Sequence, residues 1–338
     1  MIAKLMCVSE SLVRQVIHDP CRWSNADIAQ WIDSSEACAR TSHAYGGRMS
    51  WGKPLVIEAA INGSTSKEVN PNVPRTVEEI VATTLACVDA GATIVHNHND
   101  EPNFGEPSVH SADPYEAAWS QIWETRPGLL MHPTTSGERT SVVADRFSHI
   151  EELHRRGSLT MTTADAGCLS LAFGGPEGPM ALPVFGNSAA DVDQVFGWCR
   201  EADLPLHVSI FEPGFLRLTL AHHKAGRLPK RTKIQLYFGG QAALFGLPPT
   251  QTGLNAYVEM ISDVGLPWMV GVPWGDVLGS GLAEAALRAG GHVRVGLEDY
   301  AGQGQPTNEE LVAQAADLGA QHRRPPAGVD DVMAALWG

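Results

Sequence analysis

The sequence predicts an α/β chain folded as a (β/α)8 TIM barrel behind an N-terminal extension. From residue 54 onward, apolar strand-length runs alternate with amphipathic helix-length runs eight times. The eight units fill about 280 residues, the usual size of such a barrel. No GxGxxG follows the first run, which disfavours the main alternative, a doubly wound dinucleotide-binding sheet.

Residues 1–50 read as an N-terminal extension, peripheral or poorly ordered and without catalytic residues. A capping helix near 24–40, with Ser24 as its N-cap, is the competing reading. The barrel domain then spans 51–338. Its first strand is expected at 55–61, followed by a helix at 76–90 whose start carries the capping box Thr76–Glu79. Further strands are expected at 92–97, 128–132, 158–163, 205–211, 232–238, 267–272 and 292–298. The helices between and after them fall at 114–125, 142–156, 189–202, 214–225, 252–263, 280–289 and 307–319.

Composition narrows the function classes. A net charge of −14 argues against a nucleic-acid partner, because phosphate contacts need a basic surface. No apolar run is long enough to span a bilayer. The six cysteines form no CxxC pair and no disulfide framework, and the first residues lack a signal-peptide profile; both suit the cytoplasm.

In a barrel of this kind the chemistry sits at the C-terminal ends of the strands. The polar residues predicted there are Asn62, His96, His98, His132, Thr134, Thr163, Asp165, Glu212, Glu298 and Asp299. The octet His292-Val293-Arg294-Val295-Gly296-Leu297-Glu298-Asp299 is the most informative. Alternation along a strand puts Arg294, Gly296 and Glu298 on the inner face, where the charges need partners. Barrel closure places this strand beside the first and the first beside the second, which ends in His96-Asn97-His98. Two histidines at i and i+2 can chelate one ion, and with Glu298 they make a His2Glu set suited to zinc. The bland alternatives are hydrogen-bonded loop residues and a structural salt bridge. Gly296 leaves room for Arg294 to reach Asp299, which would fix that carboxylate as a general base. Glu58 points inward from the first strand, beside Arg294, and is expected to pair with it. Thr134-Thr135-Ser136-Gly137, Thr163 and Asp165 offer polar groups for substrate oxygens, although such residues also cap helices. Gly174-Gly175-Pro176 and Gly239-Gly240 are turn material that could also present backbone N–H groups to an anion.

These motifs resemble the β-keto acid cleavage enzymes, whose founding activity is 3-keto-5-aminohexanoate cleavage. The resemblance runs from about residue 53 to the C-terminus. It rests on Lys53-Pro54-Leu55, Asn62-Gly63, Pro71-Asn72-Val73-Pro74, His96-x-His98, Gly290 through Asp299 and Thr307-Asn308-Glu309-Glu310-Leu311-Val312. It implies a zinc-dependent barrel, usually a tetramer, converting a β-keto acid and acetyl-CoA into acetoacetate and a new acyl-CoA. It implies zinc on His96, His98 and Glu298, with Asp299 as base and Arg294 as its partner. Thr134 stands where the family often has a serine, and Thr163 matches a substrate-binding threonine. The sequence departs from the pattern in three places. Asn99 and Asp100 follow the histidines where an arginine is usual. Val272-Pro273-Trp274 replaces Gly-Ile-Gly-Arg. Ser64 and Thr65 replace the carboxylate that suits an amine-bearing substrate. A metal-dependent hydrolase and a catalytically silent ligand-binding barrel are the other readings.

Overall fold

The structure, a computed structural model, describes residues 53–99, 110–135, 142–240 and 242–338. The expectation for residues 1–50 lies outside them. In chain order the strands are β1 (Ile57–Ala60), β2 (Ile94–Asn97), β3 (Leu130–Pro133), β4 (Thr162–Asp165), β5 (Cys168–Gly175), β6 (Gly178–Gly186), β7 (Leu206–Ile210), β8 (Thr232–Tyr237), β9 (Trp268–Gly271) and β10 (His292–Val295). The helices are α1 (Val77–Asp89), α2 (Asp113–Thr125), α3 (Val143–Arg155), α4 (Ala189–Ala202), α5 (Pro213–Lys224), α6 (Gln251–Ile261), α7 (Leu282–Arg288), α8 (Asn308–Gln321) and α9 (Val332–Trp337).

Eight strands form one parallel sheet in the order β3-β2-β1-β10-β9-β8-β7-β4, alternating with helices α1 to α8 in a nearly closed (β/α)8 barrel. At the seam between β3 and β4 a side chain replaces a ladder bond: Thr160 Oγ1 accepts from the Met131 N–H at 2.8 Å. β4 begins at Thr162, where its ladder with Leu206 of β7 starts, and not at 158 as predicted. The alternation read from the first strand holds. Leu55, Ile57, Ala59 and Ile61 are buried in the main core together with helix residues such as Ile80 and Leu311, while Val56 joins a second apolar cluster with Ile94, Leu130, Met161 and Met269. Each buried Ile or Leu contributes about 1.5–3 kcal/mol of transfer free energy, so the barrel wall is set by these apolar stripes.

Three features differ from the sequence expectation. The last strand stops at Val295, because Gly296 adopts φ +139° and a Cβ there would sit 2.1 Å from the Ala60 carbonyl oxygen. Glycine is required for close backbone approach, not to make room for Arg294. Second, β5 and β6 form an antiparallel hairpin after β4, which alternation alone did not separate from turn material. Gly174 and Gly175 end its first strand. Third, the segment after α8 closes the barrel floor. Val332 and Leu336 of α9 pack on Val56 and Met269, and Leu55 exchanges backbone hydrogen bonds with Pro325 and Ala327 at 2.9 and 2.8 Å. No helix among the described residues is long and apolar enough to cross a membrane.

Candidate active site

At the C-terminal mouth, the turn after β10 delivers Glu298. The N–H of Glu298 donates to the Ala60 carbonyl, 3.1 Å away, and Tyr300 N–H closes back on Gly296 O at 3.0 Å. Opposite lies Gly63, at φ +52°, where a Cβ would meet Glu298 Cγ at 2.2 Å; the first loop is glycine here because the carboxylate passes through that space. Asn62 holds this loop against the second strand, accepting from His98 N–H at 2.8 Å and donating to His98 O at 2.9 Å.

Glu298 meets the histidine pair. Its Oε2 is 3.1 Å from His96 Nε2 and its Oε1 is 3.4 Å from His98 Nε2. One ligand atom from each residue lies within 4.8 Å of the others, a spacing that could hold a metal ion. Burial would raise the Glu298 carboxyl, but His96, Arg294 and His98 hold it well below the usual range. Burial pushes His98 down, keeping its imidazole neutral and able to coordinate. Glu298 Oε2 is buried yet makes no hydrogen bond, despite three charged or polar neighbours. A buried oxygen left in this way is costly unless something else binds it.

Beside this cluster Arg294 Nε donates to Asp299 Oδ2 at 2.8 Å, its Nη2 lies 3.3 Å from Asp299 Oδ1 and 3.0 Å from Glu298 Oε1, and Nη1 donates to Glu58 Oε1 at 2.9 Å. The expected pairs of Arg294 with Glu58 and with Asp299 are both present. Burial raises the Asp299 carboxyl and Arg294 opposes that shift.

A second layer lies deeper. Glu58 Oε2 accepts from Lys233 Nζ at 2.6 Å, and the same ammonium is 3.1 Å from His207 Nδ1. His132 and His207 complete another histidine–carboxylate group around Glu58, each 3.4 Å from it. Burial would raise Glu58, but Lys233, His207 and His132 keep it well below its ordinary value; burial pushes Lys233 down to about 8 and His132 to about 4. Between the layers, His96 Nδ1 lies 3.2 Å from the His132 carbonyl. Donation to that oxygen would leave Nε2 of His96 unprotonated and facing Glu298.

A cavity of about 430 Å³ opens over these groups, lined by Ser64, Thr65, His96, His98, Thr134, Thr163, Asp165, Arg294, Glu298 and Asp299 among others. The structure thus brings the expected metal, base and substrate-binding candidates to one cavity, but not Asn62 or Glu212 of the predicted rim. Details differ. Thr65 Oγ1 donates to Leu297 O at 2.8 Å and ties the first loop to the last turn. Thr134 Oγ1 donates to Thr135 O at 3.0 Å, and Asp165 accepts from Thr135 Oγ1 at 2.5 Å. Ser136, Gly137 and Asp100 lie outside the described residues. Glu212 does not line the cavity; as the residue preceding α5 it accepts from Gly246 N–H at 2.9 Å. Asn62 is structural in the same sense. Sequence reasoning passed over His207, Ser209, Lys233 and Tyr237. The signal was there: Leu206-His207-Val208-Ser209-Ile210 and Thr232-Lys233-Ile234-Gln235-Leu236-Tyr237 alternate as the octet does, with polar residues inward.

A (β/α)8 barrel whose mouth gathers two imidazoles, two carboxylates and a buried arginine over one cavity defines a barrel enzyme. The sequence model of the beta-keto acid cleavage enzymes (BKACE) matches residues 54–337, and the chain belongs to that family. It is similar to the 3-keto-5-aminohexanoate cleavage enzyme of Acetoanaerobium sticklandii, with 27% identity over 81% of this chain and 94% of that protein. It is also similar to the 3-oxoadipate:acetyl-CoA acetyltransferase of Cupriavidus necator, with 28% identity over 84% and 95% of the two chains. The 3-dehydrocarnitine:acetyl-CoA trimethylamine transferase of Rhizobium meliloti shares 23% identity over 80% and 92%. Among solved structures, ObcA with oxaloacetate superposes with a TM-score of 0.58 at 14% identity, covering 79% of this chain and 67% of that one, which supports the fold. The protein is an enzyme of the acyltransferase class.

Proposed function

We propose that the enzyme takes a β-keto acid and acetyl-CoA to acetoacetate and a new acyl-CoA, with one zinc ion held by His96, His98 and Glu298. The convergence of those three residues, with ligand atoms within 4.8 Å of one another and His96 Nε2 facing the buried Glu298 Oε2, carries the reading. The donor set fits zinc, which favours imidazole nitrogen and carboxylate oxygen. The deeper group of Glu58, His132 and His207 fits it less well, because Lys233 Nζ already occupies the position a cation would take. When bound, the ion would supply a Lewis acid for the keto and carboxylate oxygens of the substrate.

The chain's own residues supply the rest. Asp299, gripped by Arg294, takes a proton from the methylene between ketone and carboxylate; its raised pKa makes it a stronger base than a free aspartate. The carbanion attacks the thioester carbonyl of acetyl-CoA and expels coenzyme A thiolate. The thiolate adds to the original ketone, and the bond from that carbon to the methylene breaks. Acyl-CoA forms, and the departing acetoacetate carbanion recovers the proton. Thr134 and Thr163 offer hydroxyls to the carbonyl oxygens, and Asp165, Ser64 and Thr65 complete the substrate wall. Glu58, Lys233, Arg294, Asp299 and Glu298 amount to three carboxylates against two cations. A divalent ion and a substrate carboxylate would bring that total to neutrality, which favours an anionic substrate. A cytoplasmic homotetramer is the setting we infer from the cysteine pattern and the resemblance.

The test is incubation with acetyl-CoA and a panel of β-keto acids, reading acetoacetate and acyl-CoA by chromatography. Acetoacetate formation in step with acyl-CoA is expected. Hydrolysis of the keto acid without coenzyme A, or no turnover at all, would overturn the reading. Asp299→Asn should keep its metal and lose turnover by about 10²–10⁴-fold, the range of a general base.

A further inference from the structure

Above the histidines the cavity changes character. Among the described residues its lining also includes Val69, Phe211, Pro273, Trp274, Tyr300 and Ala301, none of them charged, with the exposed hydroxyls of Ser64 and Ser66 near Val69 in the chain. Val69 is 65% exposed and Trp274 41% exposed, two large apolar side chains left open at the entrance to an ionic floor.

Trp274 is held there against its backbone preference. Its φ is +53°, a left-handed conformation that is unusual for a bulky residue and that glycine or asparagine adopts at lower cost. The turn is clamped from three sides. Gly275 N–H donates to Asp299 O at 3.0 Å and to Val272 O at 3.1 Å, and Ala301 N–H donates to Gly275 O at 2.7 Å. Gly240 lies against it, where a Cβ would come within 2.5 Å of Trp274 O. The indole is gripped as well, edge to face with Phe173 at 4.9 Å and with Phe245 at 6.4 Å. Phe245 packs on Phe211, and Phe211 stacks on Tyr237 at 4.6 Å. An aromatic wall therefore runs from the hairpin down to the Arg294 guanidinium, which lies 5.4 Å from the Tyr237 ring. Strain retained at a functional mouth points to what the side chain does there.

We propose that Trp274 is a specificity-determining residue. With Phe211, Tyr300 and Val69 it seats an uncharged, apolar group on the ketone side of the β-keto acid, beyond the atoms that react. This rests on the acyl-exchange reading above and names its substrate class. A distal carboxylate or ammonium would lose water against this wall and find no counter-ion among those six lining residues. A distal cation would not find the Tyr237 ring open either, since Arg294 and Phe211 already face it. The bound chain instead gains transfer free energy with each methylene it buries.

The test uses the full-length, metal-loaded enzyme with acetyl-CoA and 3-oxo acids from five to eight carbons. These are set against β-keto acids of matched length ending in ammonium, trimethylammonium or carboxylate. For the neutral series kcat/KM should rise by about fourfold per methylene, the value of one buried CH2 group. The charged acids should fall on the order of 10-fold or more below their neutral counterparts. In Trp274→Gly, which suits the backbone, the rise with chain length should flatten through KM. Trp274→Phe should restore part of it. Preference for a charged end in the wild type, or an unchanged slope in Trp274→Gly, overturns the proposal while leaving acyl exchange intact. No turnover of any acid, the five-carbon one included, overturns both. If Trp274→Gly does not fold, the wild-type ranking still decides.

Discussion

The barrel contains two histidine–glutamate groups, one above the other, and they differ in how their charge is met. Around Glu58 both carboxylate oxygens are matched: Lys233 and Arg294 donate to them, and His132 and His207 flank the group at 3.4 Å. Around Glu298 one oxygen has Arg294 and His98 as neighbours, and the other has His96 Nε2 3.1 Å away but makes no hydrogen bond of good geometry. The carboxylate of the lower group is fully buried and both its oxygens are held by cations, although His132 and His207 also reach the cavity wall. The upper one lines the cavity, and its carboxylate faces two imidazoles and a guanidinium with no ammonium between them. On the proposed reading, similar residue types in adjacent layers are divided into scaffold and chemistry by the presence or absence of an ammonium.

The largest effect that can break this division is expected from the upper group. His96→Ala and Glu298→Gln should each lose bound zinc by elemental analysis and lose turnover by about 10³-fold or more, since a Lewis acid supplies several kcal/mol. Their melting temperatures without metal should stay close to that of the metal-free parent. Full zinc occupancy in His96→Ala would contradict the ligand set, and a collapse of the fold would make the upper group structural as well.

The lower group should respond in the opposite sense. Glu58→Gln removes the carboxylate that pairs with buried Lys233 and one of the three around Arg294, at a cost of about 3–5 kcal/mol. That should appear as a drop in Tm on the order of 10 °C. Removing the ammonium as well, in Glu58→Gln/Lys233→Met, should recover part of the loss, because no unpaired lysine then remains. An unchanged Tm in Glu58→Gln would erase the distinction between the two groups.

How much of this was legible in the chain follows from which physical signals are local. Alternation and its period are local, so the eight βα units, the capping box at Thr76 and the inward aim of Glu58 and Arg294 could be read directly. The convergence of His96, His98 and Glu298 needed one further rule, that closing a barrel makes its first and last strands neighbours. The matched state of Glu58 was not legible, because Lys233 lies 175 positions away and its ammonium reaches Glu58 only once β8 is in register with β7 and β9. The end of β10 at Val295 was hidden for the same reason. Gly296 reads as a strand residue until the Ala60 carbonyl is placed against it. The six-residue α9 escaped because so short a segment carries too few periods, and the hairpin because its glycines and prolines read as turn material.

The smallest expected effect tests the floor of the barrel, a third histidine environment. His292 Nδ1 accepts the Val56 N–H at 3.0 Å, so the imidazole must be neutral at that nitrogen. Burial, with Arg324, Lys233 and Lys53 nearby, pushes its pKa down to about 3. A histidine depressed in the folded state and ordinary in the unfolded chain binds fewer protons when folded, so stability is lost as pH falls below about 6.5 toward 3. At pH 5 the loss from this one group is about 2 kcal/mol, at 1.36 kcal/mol per pH unit. Urea unfolding at pH 7 and pH 5 should therefore show the wild type losing about 2 kcal/mol more than His292→Gln over the same interval. His132 and His149, also buried and depressed, contribute equally to both proteins and cancel in the difference. Equal losses in the two proteins would mean that His292 does not remain neutral, and the hydrogen bond to Val56 could not then have the donor and acceptor assigned to it.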